Sequence, residues 1–148
     1  MTQENKELLL KDLCARVTCG VKVLCISDSN HKWYNLKMVD IEDNDVYLEA
    51  YEPYTNRYAE IENVKPYLFP LLSMTEQQKE ELLYNYIHND IYFDDFVDYF
   101  LAGELWHDIC VSLFDLPQLI DWLNKNHFDW RGLIPKGLAI DATGKNIY

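Results

Sequence analysis

Residues 33–51, Trp33-Tyr34-Asn35-Leu36-Lys37-Met38-Val39-Asp40-Ile41-Glu42-Asp43-Asn44-Asp45-Val46-Tyr47-Leu48-Glu49-Ala50-Tyr51, set the fold class. Val46, Leu48 and Ala50 fall on one side of an extended chain. Tyr47, Glu49 and Tyr51 fall on the other. That period of two belongs to a half-buried strand. Glu42-Asp43-Asn44-Asp45 before it is a tight polar turn. Trp33 to Ile41 reads as the strand that enters the turn.

Two more strands extend this hairpin. Upstream, Val17, Val21, Val23, Cys25 and Ile26 make a largely β-branched run from Arg16 onward that ends at Asp28-Ser29-Asn30. Downstream, Glu52 to Asn56 with Pro53 is a turn. Arg57 to Val64 is a fourth strand anchored by Ile61 and Val64. Four short strands at hairpin spacing form a meander. A bent meander of this length closes into a small SH3-like or Sm-like β-barrel, which removes its exposed edges.

The flanks are of other kinds. Residues 5–14 read as a short helix with Leu9, Leu10, Leu13 and Cys14 on one face. Lys65 to Leu72 is apolar and interrupted by Pro66 and Pro70, so it is predicted as an extended connector laid against the barrel. Thr75 with Gln78 three residues on is a capping box. It opens a helix with Leu82, Leu83, Tyr86 and Ile87 as its stripe. Residues 90–114 are ambiguous: Phe93, Phe96, Val97, Phe100 and Leu101 have helical spacing, but Gly103 interrupts them. A third helix starts near Asp115-Leu116-Pro117 and ends at Asn126-His127. A short strand or turn is expected near Leu138-Ala139-Ile140. The fold expected is α+β: an N-terminal helix over 1–14, the small barrel and its connector over 15–72, and a mostly helical half with an irregular tail over 73–148. The three parts make one compact unit.

Bulk composition narrows the function classes. The 148 residues include 13 Lys/Arg and 25 Asp/Glu, for a net charge of −12. Residues 74–148 hold two-thirds of that excess. Such acidity argues against direct nucleic-acid binding, which needs Lys and Arg for phosphate, and against anionic membranes. It allows a basic protein partner. The polar start, MTQENKELLLKDL, has no long apolar run of the signal-peptide kind, so a cytoplasmic protein is expected. Cys14, Cys19, Cys25 and Cys110 have no zinc-knuckle spacing and read as free thiols.

Five groups of residues bear on chemistry. Asp90, Asp94, Asp95 and Asp98, near His88, could relieve their repulsion on a hard cation; a solvated acidic helix face explains them better. His127 with Asp129 has acid/base spacing, and Arg131 could take a carboxylate or phosphate; local structure at a helix end, with Asp129 and Arg131 pairing to each other, explains them better. Cys110 with His107, or Cys25 with His31, is a nucleophile pair by composition alone. Lys136-Gly137 lacks the other glycines of a phosphate loop and reads as a turn. The Tyr-rich set Tyr47, Tyr51, Tyr54, Tyr58 and Tyr67 falls on outer strand faces, at the 52–56 turn and in the connector. Aromatics there form a protein-binding patch or pack on the helical half.

The junction Val64-Lys65-Pro66-Tyr67-Leu68-Phe69-Pro70-Leu71, with Ser73-Met74-Thr75-Glu76, and the tail His127-Phe128-Asp129-Trp130-Arg131-Gly132-Leu133-Ile134-Pro135-Lys136-Gly137-Leu138-Ala139 resemble short proteins of gut Bacteroidales and their phages or mobile elements. Those carry a KPYLRPLSSMTEEE junction and an FDYRGLIEKGLA tail. This chain departs at Phe69, Trp130 and Pro135. The resemblance implies a bacterial or phage-borne cytoplasmic protein and brings no activity or catalytic residue with it. The reading favoured is a non-enzymatic interaction module or adaptor with no cofactor. Its binding residues are Tyr47, Tyr51, Tyr54 and Tyr58 on the barrel and Trp130 and Arg131 in the tail. An acidic nucleic-acid mimic that inhibits a DNA-binding protein is the second reading. A metal-dependent hydrolase using the 90–98 carboxylates is the third.

Overall fold

The computed structural model describes residues 1–28, 33–49, 56–87, 92–102 and 116–148, with the side chains of 99–102 left aside. It is α+β: the described residues form a six-stranded mixed sheet and four α-helices.

The first helix, α1 (Gln3–Arg16), begins where Thr2 accepts a hydrogen bond from the Asn5 N–H, satisfying a donor the helix itself cannot. It buries Leu9, Asp12, Leu13 and Arg16. The run from Val17, expected as a strand, starts instead as a 3-10 turn over Val17–Cys19 that continues the helix. Gly20, at φ +71°, turns the chain out through the left-handed region. The strand β1 is confined to Lys22–Cys25, with Val23 and Cys25 inward.

The hairpin read from residues 33–51 is present as far as Glu49; residues 50–55, with most of the turn expected over 52–56, lie outside the described residues. Strand β2 (Tyr34–Asp40) pairs antiparallel with β3 (Asp45–Glu49), and β3 with β4 (Arg57–Glu60). Tyr34, Leu36, Val46, Leu48 and Ala59 point into the core. The predicted fourth strand stops early, because Ile61–Asn63 form a 3-10 turn that buries Ile61 and redirects the chain.

The first half of the connector expected over 65–72 is strand. Residues Val64–Leu68 form β5, antiparallel to β1, with Pro66 opposite Val23. Pro66 is tolerated because pairing on its other side begins only at Tyr67. There β6 (Ile140–Asp141) runs parallel to β5. The order is β4-β3-β2-β1-β5-β6. Among the described residues no pairing joins β4 to β5 or β6, so the sheet is open and the expected barrel closure is not seen there.

Two of the described helices of the back half start where the sequence places them. Helix α2 (Glu76–Tyr86) carries the Thr75–Gln78 capping box, with both reciprocal bonds made. Helix α3 (Phe93–Ala102) resolves part of the ambiguous 90–114 stretch and buries Phe93, Phe96 and Val97. Helix α4 (Leu116–Lys125) starts with Pro117 in its first turn and buries Leu119, Trp122 and Leu123. No helix among the described residues is long and apolar enough to cross a membrane.

The described residues form two hydrophobic clusters. One lies between α1 and the sheet; the other unites Leu71, Met74, α2, α3, α4 and Phe128. The tail belongs to both, since Leu133, Leu138 and Ala139 enter the first and Phe128 the second. It is stitched to the chain just after β5: Phe69 donates to the His127 carbonyl and accepts from the Asp129 N–H, at 2.9 and 2.8 Å.

Candidate functional site

Two groups of side chains stand out, one exposed on the sheet and one buried under the tail.

The exposed group is built by strand register. Met38 lies opposite Tyr47, and Tyr47 opposite Tyr58. The three form a cross-strand row on the face away from the core. The Tyr47 and Tyr58 rings lie 5.1 Å apart at a 51° tilt, a favourable aromatic geometry. Tyr58 is 61% exposed, Met38 42%, and Tyr47 is half-buried. The Asn56 amide donates to the Tyr47 hydroxyl at 3.0 Å, steadying that ring. Met38 owes its place to a β-bulge between Leu36 and Met38. Simple alternation from Tyr34 and Leu36 would turn it into the core; the extra residue reverses the faces. The sequence holds a trace of this. Inward positions step by two from Tyr34 to Leu36, then by three to Val39, which packs against the core cluster.

Charges frame the row. Asp45 and Glu60 are opposite each other, two residues along from Tyr47 and Tyr58 and on the same face. With Asp43, Asn44, Glu62 and Lys6 they line a groove. Lys6 pairs with Glu62 at 3.2 Å, leaving Asp43, Asp45 and Glu60 without an ammonium partner among the described residues. On the other side, Lys37 and Glu49 pair at 2.9 Å and largely cancel.

A polar cluster joins β4 to the chain just past β1. Arg57 on β4 reaches Asp28 at 3.3 Å and Ser27 at 3.4 Å, just past β1. Tyr34 also donates to Asp28. Burial and the adjacent carboxylate push the Tyr34 hydroxyl up to about 12.

The buried group joins α1 to the tail. Asp12 and Arg16 are fully buried and pair at 2.8 Å. The other Asp12 oxygen takes Arg131 at 2.9 Å. Arg16 donates further to the Phe128 carbonyl at 2.7 Å and the Asn124 carbonyl at 3.5 Å. The Arg131 guanidinium lies 3.9 Å over the Trp130 ring, and Trp130 donates to Asn124 at 2.9 Å. Burial lowers the Arg131 pKa against the pull of Asp12. Both Asp12 oxygens are taken and Arg16 has three partners, so the cluster fastens parts of the fold together and offers a ligand little. The local Asp129–Arg131 pairing expected from sequence does not form. Arg131 reaches across 119 positions of sequence to Asp12 instead.

His127 and Asp129 are likewise not an acid/base pair. The Asp129 carboxylate accepts from the Leu133 and Ile134 N–H groups at 2.8 and 2.7 Å, capping the next turn. Burial still raises its pKa. His127 sits at φ +58° and stacks on Tyr148, ring centroids 4.0 Å apart. Its Nδ1 is buried with no partner among the described residues. Burial first, then the nearby Arg16 and Lys22 cations, pull its pKa down to about 4. Tyr148 is pushed up to about 12 by burial, while its hydroxyl donates to the Tyr67 carbonyl and accepts from the Lys22 N–H.

The remaining sequence candidates separate cleanly. Asp94, Asp95 and Asp98 are exposed on α3, opposite its buried face, and no carboxylate group that could hold a metal occurs among the described residues. Cys25 is buried. Gly137, at φ +70°, closes a plain turn onto the Ile134 carbonyl. Tyr67 is buried and leaves the surface set. Tyr51, Tyr54, His31, His88, Asp90, His107 and Cys110 lie outside the described residues. Sequence reading missed Tyr84 and Tyr92, which are 87% and 80% exposed. Tyr84 was legible: two positions from Leu82 on a helix places it on the opposite face. No family model, curated protein or solved structure matches this chain.

Proposed function

We propose that the protein is a non-enzymatic interaction module, of bacterial or phage origin and acting in the cytoplasm, that binds a protein partner on the outer face of β2, β3 and β4. The Met38–Tyr47–Tyr58 row carries this reading. A methionine and two tyrosines in register on a solvent face gain nothing from core burial, and such residues are enriched at interface centres. The residues expected to bind divide accordingly. Tyr47 and Tyr58 belong to the surface, whereas Trp130 and Arg131 act through the fold by holding Asp12 and Asn124.

The strand order β4-β3-β2-β1-β5, with a 3-10 turn between β4 and β5, supports reading this half as a small SH3-like barrel module that, among the described residues, stays open at the β4 edge. The Arg57–Asp28 pair, which ties β4 to the chain just past β1, supports it too. The nucleic-acid-mimic reading draws on Asp43, Asp45, Glu60 and Glu62. They line one short groove and Lys6 already neutralises Glu62, so the aromatic row is the stronger observation.

The test is site-specific photo-crosslinking in a gut Bacteroidales host. A photoreactive phenylalanine at position 58 should trap a defined partner, and the same group at 84 should not. Equal trapping at both positions, or none at 58, removes the proposal.

A further inference from the structure

The aromatic row ends at β4, the outermost strand of the sheet among the described residues. Glu60 and Tyr58 are both exposed there and are two residues apart, so they share the outer face. Behind them Asp45 and Tyr47 repeat the same order on β3. The surface therefore carries a carboxylate pair and a tyrosine pair, spaced about 7 Å along the strand direction.

Resting on the module reading, we propose that β4 takes an extended segment of a partner protein by strand addition, and that this segment carries Lys or Arg at alternate positions. An added strand sets every second side chain on the same face as Tyr58 and Glu60. One of these meets the Asp45–Glu60 carboxylates. The next, two residues on, lies across the Tyr58 ring, whose face attracts a cation. Charge complementarity selects the occupant: Asp43, Asp45 and Glu60 lack an ammonium partner among the described residues, and the nearby cations Lys6 and Lys37 are already paired. An acidic segment would add like charges to the same groove.

Fluorescence anisotropy with the full chain tests this. The probe is a labelled peptide of alternating lysine and threonine. Its glutamate–threonine counterpart and a version N-methylated at alternate amides serve as comparisons. The lysine peptide should bind, weaken at high salt, and outbind both comparisons by at least about ten-fold. Tyr58→Ser and Glu60→Gln should each weaken it about five-fold, while the charge-matched Glu80→Gln on α2 changes it by less than about two-fold. Circular dichroism confirms that each variant is folded. If the N-methylated peptide binds equally, or Glu80→Gln costs as much as Glu60→Gln, attraction to a generally acidic chain is the cause and strand addition is overturned. A partner trapped at position 58 whose binding ignores salt and Glu60 would overturn the cationic segment yet keep the module. Failure to trap anything at 58 would remove the module itself.

Discussion

Asp12 is the residue on which the buried cluster turns, because both its oxygens neutralise arginines at 2.8 and 2.9 Å. Asp12→Leu leaves Arg16 buried and uncompensated, so it should cost about 3–5 kcal/mol in urea unfolding. Adding Arg16→Met should recover most of that loss, since two apolar side chains of similar volume need no pairing. Recovery of nothing would mean that Arg16 serves the fold chiefly through the Asn124 and Phe128 carbonyls. His127 gives a pH prediction. Its folded pKa, about 4, lies below the ordinary 6.5, so the unfolded chain takes up a proton that the fold refuses. The associated stability is complete above about pH 6.5 and is lost as pH falls toward about 4. His127→Asn keeps a residue suited to left-handed backbone; the fall in urea midpoint from about pH 7 to about pH 5 should shrink in this variant. Neither role was legible in the sequence. Asp12 and Arg131 are 119 positions apart, and no spacing rule pairs them.

Local chemistry accounts for the elements whose ends were foreseen. The Thr75–Gln78 box satisfies helix donors with two adjacent side chains, whatever the rest of the chain does. Thr75→Ala should cost about 1 kcal/mol, read as a lowered urea midpoint. Element ends that depend on distant partners were misjudged. Residues 65–68 became β5 because β1 and β6 supply hydrogen bonds on either side, outweighing the prolines. The β2 bulge is intermediate: its stride from Leu36 to Val39 is in the sequence, but the register that exposes Met38 is fixed by β3. Tyr58→Ser, on the exposed side of β4, loses only its cross-strand pairing with Tyr47 and should move stability by no more than about 1 kcal/mol. A larger loss would show that the ring serves folding more than binding.

At the scale of the molecule, the tail makes the two cores interdependent. Leu133, Leu138 and Ala139 lie in the sheet core, and Phe128 in the helical one. Leu13→Ala, which opens a hole between α1 and the sheet, should therefore cost about 2–5 kcal/mol. It should also speed amide exchange in α4 as well as in β2; loss confined to β2 would mean that the halves unfold separately. The sequence by itself determined the α+β class, the 33–51 hairpin, the capped helix after Thr75 and the acidity. Each follows from side-chain period, neighbouring-residue chemistry or composition, which need no fold to act. Only the tertiary structure decided that residues 65–68 are strand, that Asp12 holds two arginines, and that Met38 stands outward beside Tyr47 and Tyr58. Those depend on which distant segments meet, and burial and register exist only once they have met.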